Sequence, residues 1–310
     1  MAEHAIVCPT IVAMVDPSDN PAPAELSATL GPDRSPPPVK RALRWPSSFQ
    51  VAWRYATSDL RARPDFVILG AQRGGTTSLY TWLSSHPQVS PAIRKEIHYF
   101  DNHYDLGPRW YRWHYPIARP GRVTGEASPY MLFHPLSPAR AARDLPERTK
   151  FIVVLREPVQ RTVSHYWRSR QKQWETETLE RAIDLEPARL AEDTPRVLRG
   201  ERGFGHENQS YVARSEYASQ LETWFDAVGR DRILVVESEQ MYSRAGATDR
   251  ILDWLELPSH HQAFPSTNQA ERLDEATPQV IARLHEHFEP HNRRLFELLG
   301  SEMWTEPASG

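Results

Sequence analysis

The stretch DFVILGAQRGGTTSLYTWL, Asp65–Leu83, constrains what the chain can fold into more than any other part of it. Phe66–Leu69 is a short apolar run that ends at Gly70, the pattern of a buried strand bounded by a turn residue. Gly74 and Gly75 follow, and Thr76, Thr77 and Ser78 open a helical stretch with hydroxyls suited to cap it. Backbone N–H groups in such a turn, with those at the helix start, form a concave anion cradle. A tight strand-to-helix turn that binds nothing uses the same residue types. A Walker A loop carries a lysine between its last Gly and its Thr. Here Thr76 follows Gly75 directly, and the nearest cation, Arg73, precedes the glycines.

The alternation continues downstream. KFIVVLREP and RILVVESEQM read as further buried strands, and RVTGEASPYM as a shorter strand and turn. VQRTVSHYWRSR, residues 176–200, YASQLETWFDAVG, ATDRILDWLEL and TPQVIARLHEHFEPHNRRLFELLG read as helices, with the charged 176–200 segment expected to pass over the site. Strands separated by helices imply an α/β fold: three layers, α/β/α, with a central parallel sheet and a P-loop-like phosphate-binding loop. Residues 1–40, rich in Pro, Ser and Asp and poor in aromatics, are expected to be a disordered Pro-rich N-terminal arm. Residues 41–63 are a helical, basic lead-in expected to dock on the folded part through Trp45, Phe49, Val51 and Trp53, and residues 64–305 are expected to form a single domain.

A net charge of -3 supplies no overall basic field, so a nucleic-acid partner is not expected and any polyanion must be met by a local cluster. The single cysteine, Cys8, excludes an internal disulfide and a cysteine-based zinc site, and suits a reducing compartment. The apolar run near the N-terminus has no Lys or Arg before it and is interrupted by Pro9, a poor signal peptide. No apolar stretch approaches the length of about 18 residues that a membrane span needs. A cytoplasmic location is the expectation.

The strand FIVVLREP decides what kind of anion is held. In nucleoside-triphosphate hydrolases the companion strand ends in an Asp that helps hold Mg²⁺. This one ends in Arg156, next to Glu157. Arginine does not ligate metals but captures phosphate in a bidentate fork. Ser164, two helical turns further on, is placed to donate to the same anion. The sheet edge is therefore expected to present two anion sites, one at the glycine loop and one at Arg156 and Ser164, with no metal between them.

GAQRGGTTSL and LREPVQRTVSHY resemble the 5′-phosphosulfate loop and the 3′-phosphate motif of sulfotransferases that use 3′-phosphoadenosine-5′-phosphosulfate (PAPS). Within that family the chain is most similar to bacterial relatives of the heparan sulfate glucosaminyl sulfotransferases. KEIHYFD, GPRWYRWHYP, TGEASPYM, EYASQLETWF, RILVVESEQM and HFEPHNRRLFELLG resemble its later segments in order. The resemblance implies transfer of a sulfuryl group to a hydroxyl of a carbohydrate or natural-product acceptor, without a metal. It implies donor binding by Arg73, Gly74, Gly75, Thr76, Thr77, Ser78, Arg156 and Ser164. It also implies Glu96 as catalytic base, with His98 and Asp101 supporting it or orienting the acceptor. Read alone, a Glu beside Lys95 is an ordinary solvated ion. Arg73 stands where many relatives carry a lysine beside the bridging oxygen; it supplies charge and hydrogen bonds but is a very poor proton donor. Lys95 is a weaker candidate for added charge on the leaving side.

Three further readings concern the rim. STNQAERLDEATP, with Arg272, lies where animal relatives carry a basic nucleotide-binding loop braced by a disulfide. Trp110, Tyr111, Trp113, Tyr115 and Tyr130 are candidate stacking walls for an acceptor, although core packing suits most of them better. Arg161 either reaches the nucleotide or braces its helix. A small-molecule or nucleoside kinase with a degenerate loop is the alternative function, and a binding protein that kept the cradle a third. The acceptor's identity and the oligomeric state are open.

Overall fold

The computed structural model describes residues 48–243, 245–259, 262–265 and 276–304. The expected arm, Trp45 and Arg272 lie outside these residues. Four strands, β1 (Phe66–Gly70), β2 (Gly125–Ala127), β3 (Lys150–Leu155) and β4 (Ile233–Glu237), form one parallel sheet in the order β2-β1-β3-β4. Phe66–Leu69 and Phe151–Leu155 are each 0% exposed, which is why both appear in the sequence as unbroken apolar runs: both faces are covered.

Side chains alternate between the two faces. Val67, Leu69, Phe151, Val153 and Leu155 point to one layer, and Phe66, Ile68, Ile152 and Val154 to the other. The first layer is made by α3 (Gly107–Trp113), α4 (Ser137–Asp144), α8 (Tyr217–Val228) and the C-terminal part of α11 (Pro278–Leu299), which contribute Tyr111, Ala141, Leu221, Trp224 and Leu295. The second is made by α2 (Thr76–Ser84) and α10 (Ala245–Trp254), with Leu79, Leu83, Ile251 and Leu252. The helix after β3, α5 (Pro158–Gln171), packs with α6 (Leu179–Leu198) and the first half of α11 in a third apolar cluster. The remaining helices are α1 (Ser48–Ala56), α7 (Phe204–Asn208) and α9 (Ser238–Ser243). Among the described residues no helix is long and apolar enough to cross a membrane.

The described part of the lead-in contacts the folded part through arginines, while Trp53, one of the residues expected to dock it, is 50% exposed. Arg54 on α1 donates to the carbonyl oxygens of Trp113 and Tyr115 at 2.8 and 2.7 Å, and Arg61 reaches Tyr115 O at 2.8 Å. Strand order then places the site. The chain runs from β1 outward to β2, returns past β1 to β3, and moves outward again to β4. The connections leaving β1 and β3 therefore diverge, and the crevice between them opens at the carboxyl ends of the strands.

Candidate active site

The glycine loop rides on the end of β3. Pairing of β1 with β3 slips by one residue between Ile68 and Gly70, and the Ala71 N–H donates to Val154 O at 2.7 Å. Gly74 lies so close to β3 that a Cβ there would stand 2.6 Å from Val154 O. Gly75 is the N-cap of α2 at φ 96°, a left-handed conformation, and no side chain caps the helix. Thr76, Thr77 and Ser78 were expected to cap α2 but lie inside it instead; Thr76 and Ser78 are buried, Thr77 is exposed, and Ser78 Oγ accepts from the Tyr242 hydroxyl at 3.1 Å. The first-turn N–H groups, which have no intrahelical partner, are thus the natural contacts for an anion seated in the loop. Gly74→Ala is expected to destabilise the protein by about 1–3 kcal/mol through overpacking against a carbonyl that cannot move, read as a lowered Tm. Gly246→Ala, whose Cβ would meet nothing within 4 Å, should not lower it.

Arginines converge beside this loop. Arg73 adopts φ 72°, and its Nε donates to Ser164 Oγ at 3.0 Å, so one contact joins residues that the sequence assigned to two separate anion sites. Burial, then repulsion from Arg168 and Arg156, pulls the Arg73 guanidinium down to about 10. It remains charged at neutral pH, in a positive field that a bound anion relieves. Arg156 leaves β3 with Nε 3.4 Å from Gln160 Oε1, and its carbonyl accepts from the Tyr217 hydroxyl at 2.8 Å. Glu157 is occupied as the N-cap of α5, accepting from the Val159 and Gln160 N–H groups at 3.0 and 2.8 Å. The acidic residue at this strand end thus does the work of a helix cap. Arg161 is a brace: fully buried, it donates to Ser215 Oγ at 2.5 Å, to Gln72 O at 3.4 Å and to Tyr211 O.

The carboxylate half of the site sits on the loop after α2. Lys95 Nζ lies 2.5 Å from Glu96 Oε1, Glu96 Oε2 lies 3.5 Å from His98 Nε2, and His98 Nδ1 lies 2.9 Å from Asp101 Oδ2. The spacing Glu-x-His-x-x-Asp thereby becomes a continuous relay. Glu96 keeps 46% of its side chain open to solvent while protein crowds its carboxylate. The resulting desolvation acts to raise its pKa, but the Lys95 ammonium and His98 outweigh it and hold Glu96 well below the usual carboxylate range. His98 shows the same competition with the opposite charge. Burial disfavours the imidazolium, yet Asp101 and Glu96 raise its pKa well above the ordinary value. The two carboxylates on either side of His98 thus favour its imidazolium form, with Asp101 buried beneath it.

A layer behind the relay was not anticipated. His98 has φ 57°, and its N–H donates to Ser128 Oγ at 3.1 Å; Ser128 donates to Glu126 Oε2 at 2.7 Å, and Tyr111 to Glu126 Oε1 at 2.5 Å. Tyr115 OH completes the chain by donating to Tyr111 OH at 2.7 Å. Burial raises Glu126 to about 7 against the pull of its hydrogen bonds from Tyr111 and Ser128. Tyr111, Trp113, Tyr115 and Tyr130 are buried and Trp110 is half-buried, in keeping with core packing, the reading that suited most of them better than acceptor walls. The Arg214 guanidinium, also unanticipated, lies 4.6 Å over the Tyr130 ring and donates to Gln72 Oε1 in the glycine loop. The 176–200 segment, as α6, braces this region from outside: Glu186 accepts from the Val212 and Ala213 N–H groups at 2.7 and 2.9 Å.

Strand neighbours fix the arrangement of these parts. Lys95 O accepts from Ala127 N at 3.4 Å, which anchors Glu96 at the end of β2; the glycine loop leaves β1, and Arg156 leaves β3. With the order β2-β1-β3, the segment carrying Glu96, the glycine loop and Arg156 follow one another along the carboxyl edge of the sheet. Arg73 and His98 are two of the five non-glycine residues with positive φ among those described, and such backbone conformations cluster at functional sites.

A family profile described as a sulfotransferase domain matches residues 63–294, and the chain belongs to the sulfotransferase family. It is 28% identical over 273 residues to human heparan sulfate glucosamine 3-O-sulfotransferase 3B1, covering 80% of this chain and 66% of that protein. With mouse heparan sulfate glucosamine 3-O-sulfotransferase 6 it shares 28% identity over 316 residues, 92% of this chain and 82% of that one. The chain spans less than two thirds of the human 3A1 enzyme, 61% of its length. A sulfotransferase structure from Alicyclobacillus acidocaldarius superposes with a TM-score of 0.61 at 25% identity, over 78% of this chain and 98% of that one.

Proposed function

We propose that the protein transfers the sulfuryl group of PAPS to a hydroxyl of a carbohydrate or natural-product acceptor, with Glu96 as base. The observation that carries this reading is the linear order of Glu96, the glycine loop and Arg156 along the ends of β2, β1 and β3. The loop, with Arg73, holds the 5′-phosphosulfate, and Arg156 and Ser164 hold the 3′-phosphate. Glu96 takes the proton of the acceptor hydroxyl while that oxygen bonds to sulfur, in line with the breaking bond from sulfur to the 5′-phosphate oxygen. Arg73 stabilises the charge gathering on that oxygen; the leaving phosphate is already a stable anion and needs no proton from it. His98, held by Asp101, orients Glu96 and the acceptor. The heparan sulfate relatives and the carboxylate base favour a sugar or aliphatic hydroxyl over a phenol.

The test is a thermal-shift series with 3′-phosphoadenosine-5′-phosphate in EDTA against Mg-ATP. At a hundredfold excess over Kd, the first ligand is expected to stabilise the protein by about 2.7 kcal/mol and raise Tm by about 5 °C without any divalent ion. Stabilisation by Mg-ATP alone would instead select the kinase.

A further inference from the structure

Helix α11 carries the sequence HEHFEPHNRR, in which His287 and His291 are four residues apart and share one helix face. Their rings stack with centroids 5.0 Å apart at 25°. Glu216, the N-cap of α8, comes to meet them: Oε1 lies 2.9 Å from His287 Nε2 and 3.8 Å from His291 Nε2. One donor atom from each of the three residues lies within 4.8 Å of the others. A tetrahedral ion with nitrogen and oxygen ligands at about 2.0–2.2 Å sets neighbouring donors roughly 3.3–3.5 Å apart, between the two spacings seen here.

We propose that Glu216, His287 and His291 bind one divalent transition-metal ion of the zinc class. Two imidazoles and a carboxylate suit zinc, copper or nickel and discriminate against magnesium and calcium. The side chains keep 29% (Glu216), 40% (His287) and 36% (His291) of their surface open, enough for water to complete the coordination. The two helices are held in register independently of any ion, by Arg294 on α11 paired with Glu222 on α8 and by buried Leu221 and Leu295 in one cluster, so the ligands are preorganised. α8 and α11 supply none of the reacting groups. A metal here acts as a clip that fixes α11 to the start of α8, where the Tyr217 hydroxyl holds the Arg156 carbonyl.

The experiment uses the full chain without an affinity tag, stripped with EDTA and exchanged into chelator-free buffer. Calorimetric titration with ZnCl2 is expected to give one ion per chain, and a hundredfold excess over Kd is expected to raise Tm by about 5 °C, while MgCl2 leaves Tm unchanged. Replacing any one ligand weakens zinc affinity about tenfold or more. The double variant His287→Ala/His291→Ala loses both the stoichiometric binding and the Tm shift, whereas His285→Ala on the same helix keeps them. Absence of uptake by the wild type, or undiminished uptake by a double variant with unchanged circular dichroism, overturns the proposal.

Discussion

Glu96→Gln is expected to lower turnover by about 10²–10⁴-fold while leaving affinity for 3′-phosphoadenosine-5′-phosphate nearly unchanged. Gln keeps the size of the side chain and one accepting oxygen for Lys95, but sets an amide N–H2 where Glu96 Oε2 faced His98 and cannot take a proton. Because the substitution removes a group used only in the transition state, kcat and kcat/KM should fall together. The wild-type pH profile offers an independent check. Desolvation acts to raise the Glu96 pKa, but Lys95 and His98 dominate and depress it. A depressed carboxylate stays ionised down through the usual carboxylate range, so the acidic limb of kcat/KM should lie below that range. Lys95→Ala removes the largest depressing influence and should move that limb upward, provided Glu96 is the titrating group. Wild-type turnover in Glu96→Gln would remove Glu96 from the role of base.

How much of this was legible in the sequence depends on how far apart the interacting residues lie. β1, β3 and β4 could be read directly because burial on two faces writes a continuous apolar run. β2, only Gly125–Ala127, has no such run and was read as the short strand within RVTGEASPYM; its first residue is pressed so closely on β1 that a Cβ there would overlap Phe66 O. The relay Glu96, His98 and Asp101 spans six residues and was nominated by resemblance to a family segment. Its supports lie in GPRWYRWHYP and TGEASPYM, which resemble family segments as well, but no supporting role was read from them. Tyr111, Tyr115, Glu126 and Ser128 come from α3, the segment after it and the end of β2, and the two tyrosines carry the same apolar signal as any core aromatic. Arg73 and Ser164 were each nominated, but for separate anions. In the fold the loop after β1 lies against the end of β3, and the two residues stand 3.0 Å apart across 91 positions of sequence.

That convergence sharpens the test of the second anion site. Arg156→Ala is expected to cost about 2–5 kcal/mol in binding of 3′-phosphoadenosine-5′-phosphate, a loss of roughly 30-fold to several thousandfold. The fold should tolerate the change, since Arg156 braces α8 through its main-chain carbonyl, which the substitution retains. Adenosine 5′-phosphate lacks the group that Arg156 is assigned to hold, so its affinity should change little in the same variant. The comparison of the two ligands thus isolates the 3′-phosphate contact from any general loss of positive field. Arg156→Lys keeps the charge and loses the planar fork, and should fall between wild type and Arg156→Ala for the doubly phosphorylated ligand. Ser164→Ala is a less clean probe, because Ser164 also holds the Arg73 guanidinium; it should weaken both ligands. If Arg156→Ala weakens the two nucleotides equally, Arg156 serves the field around the glycine loop and the 3′-phosphate must be held elsewhere.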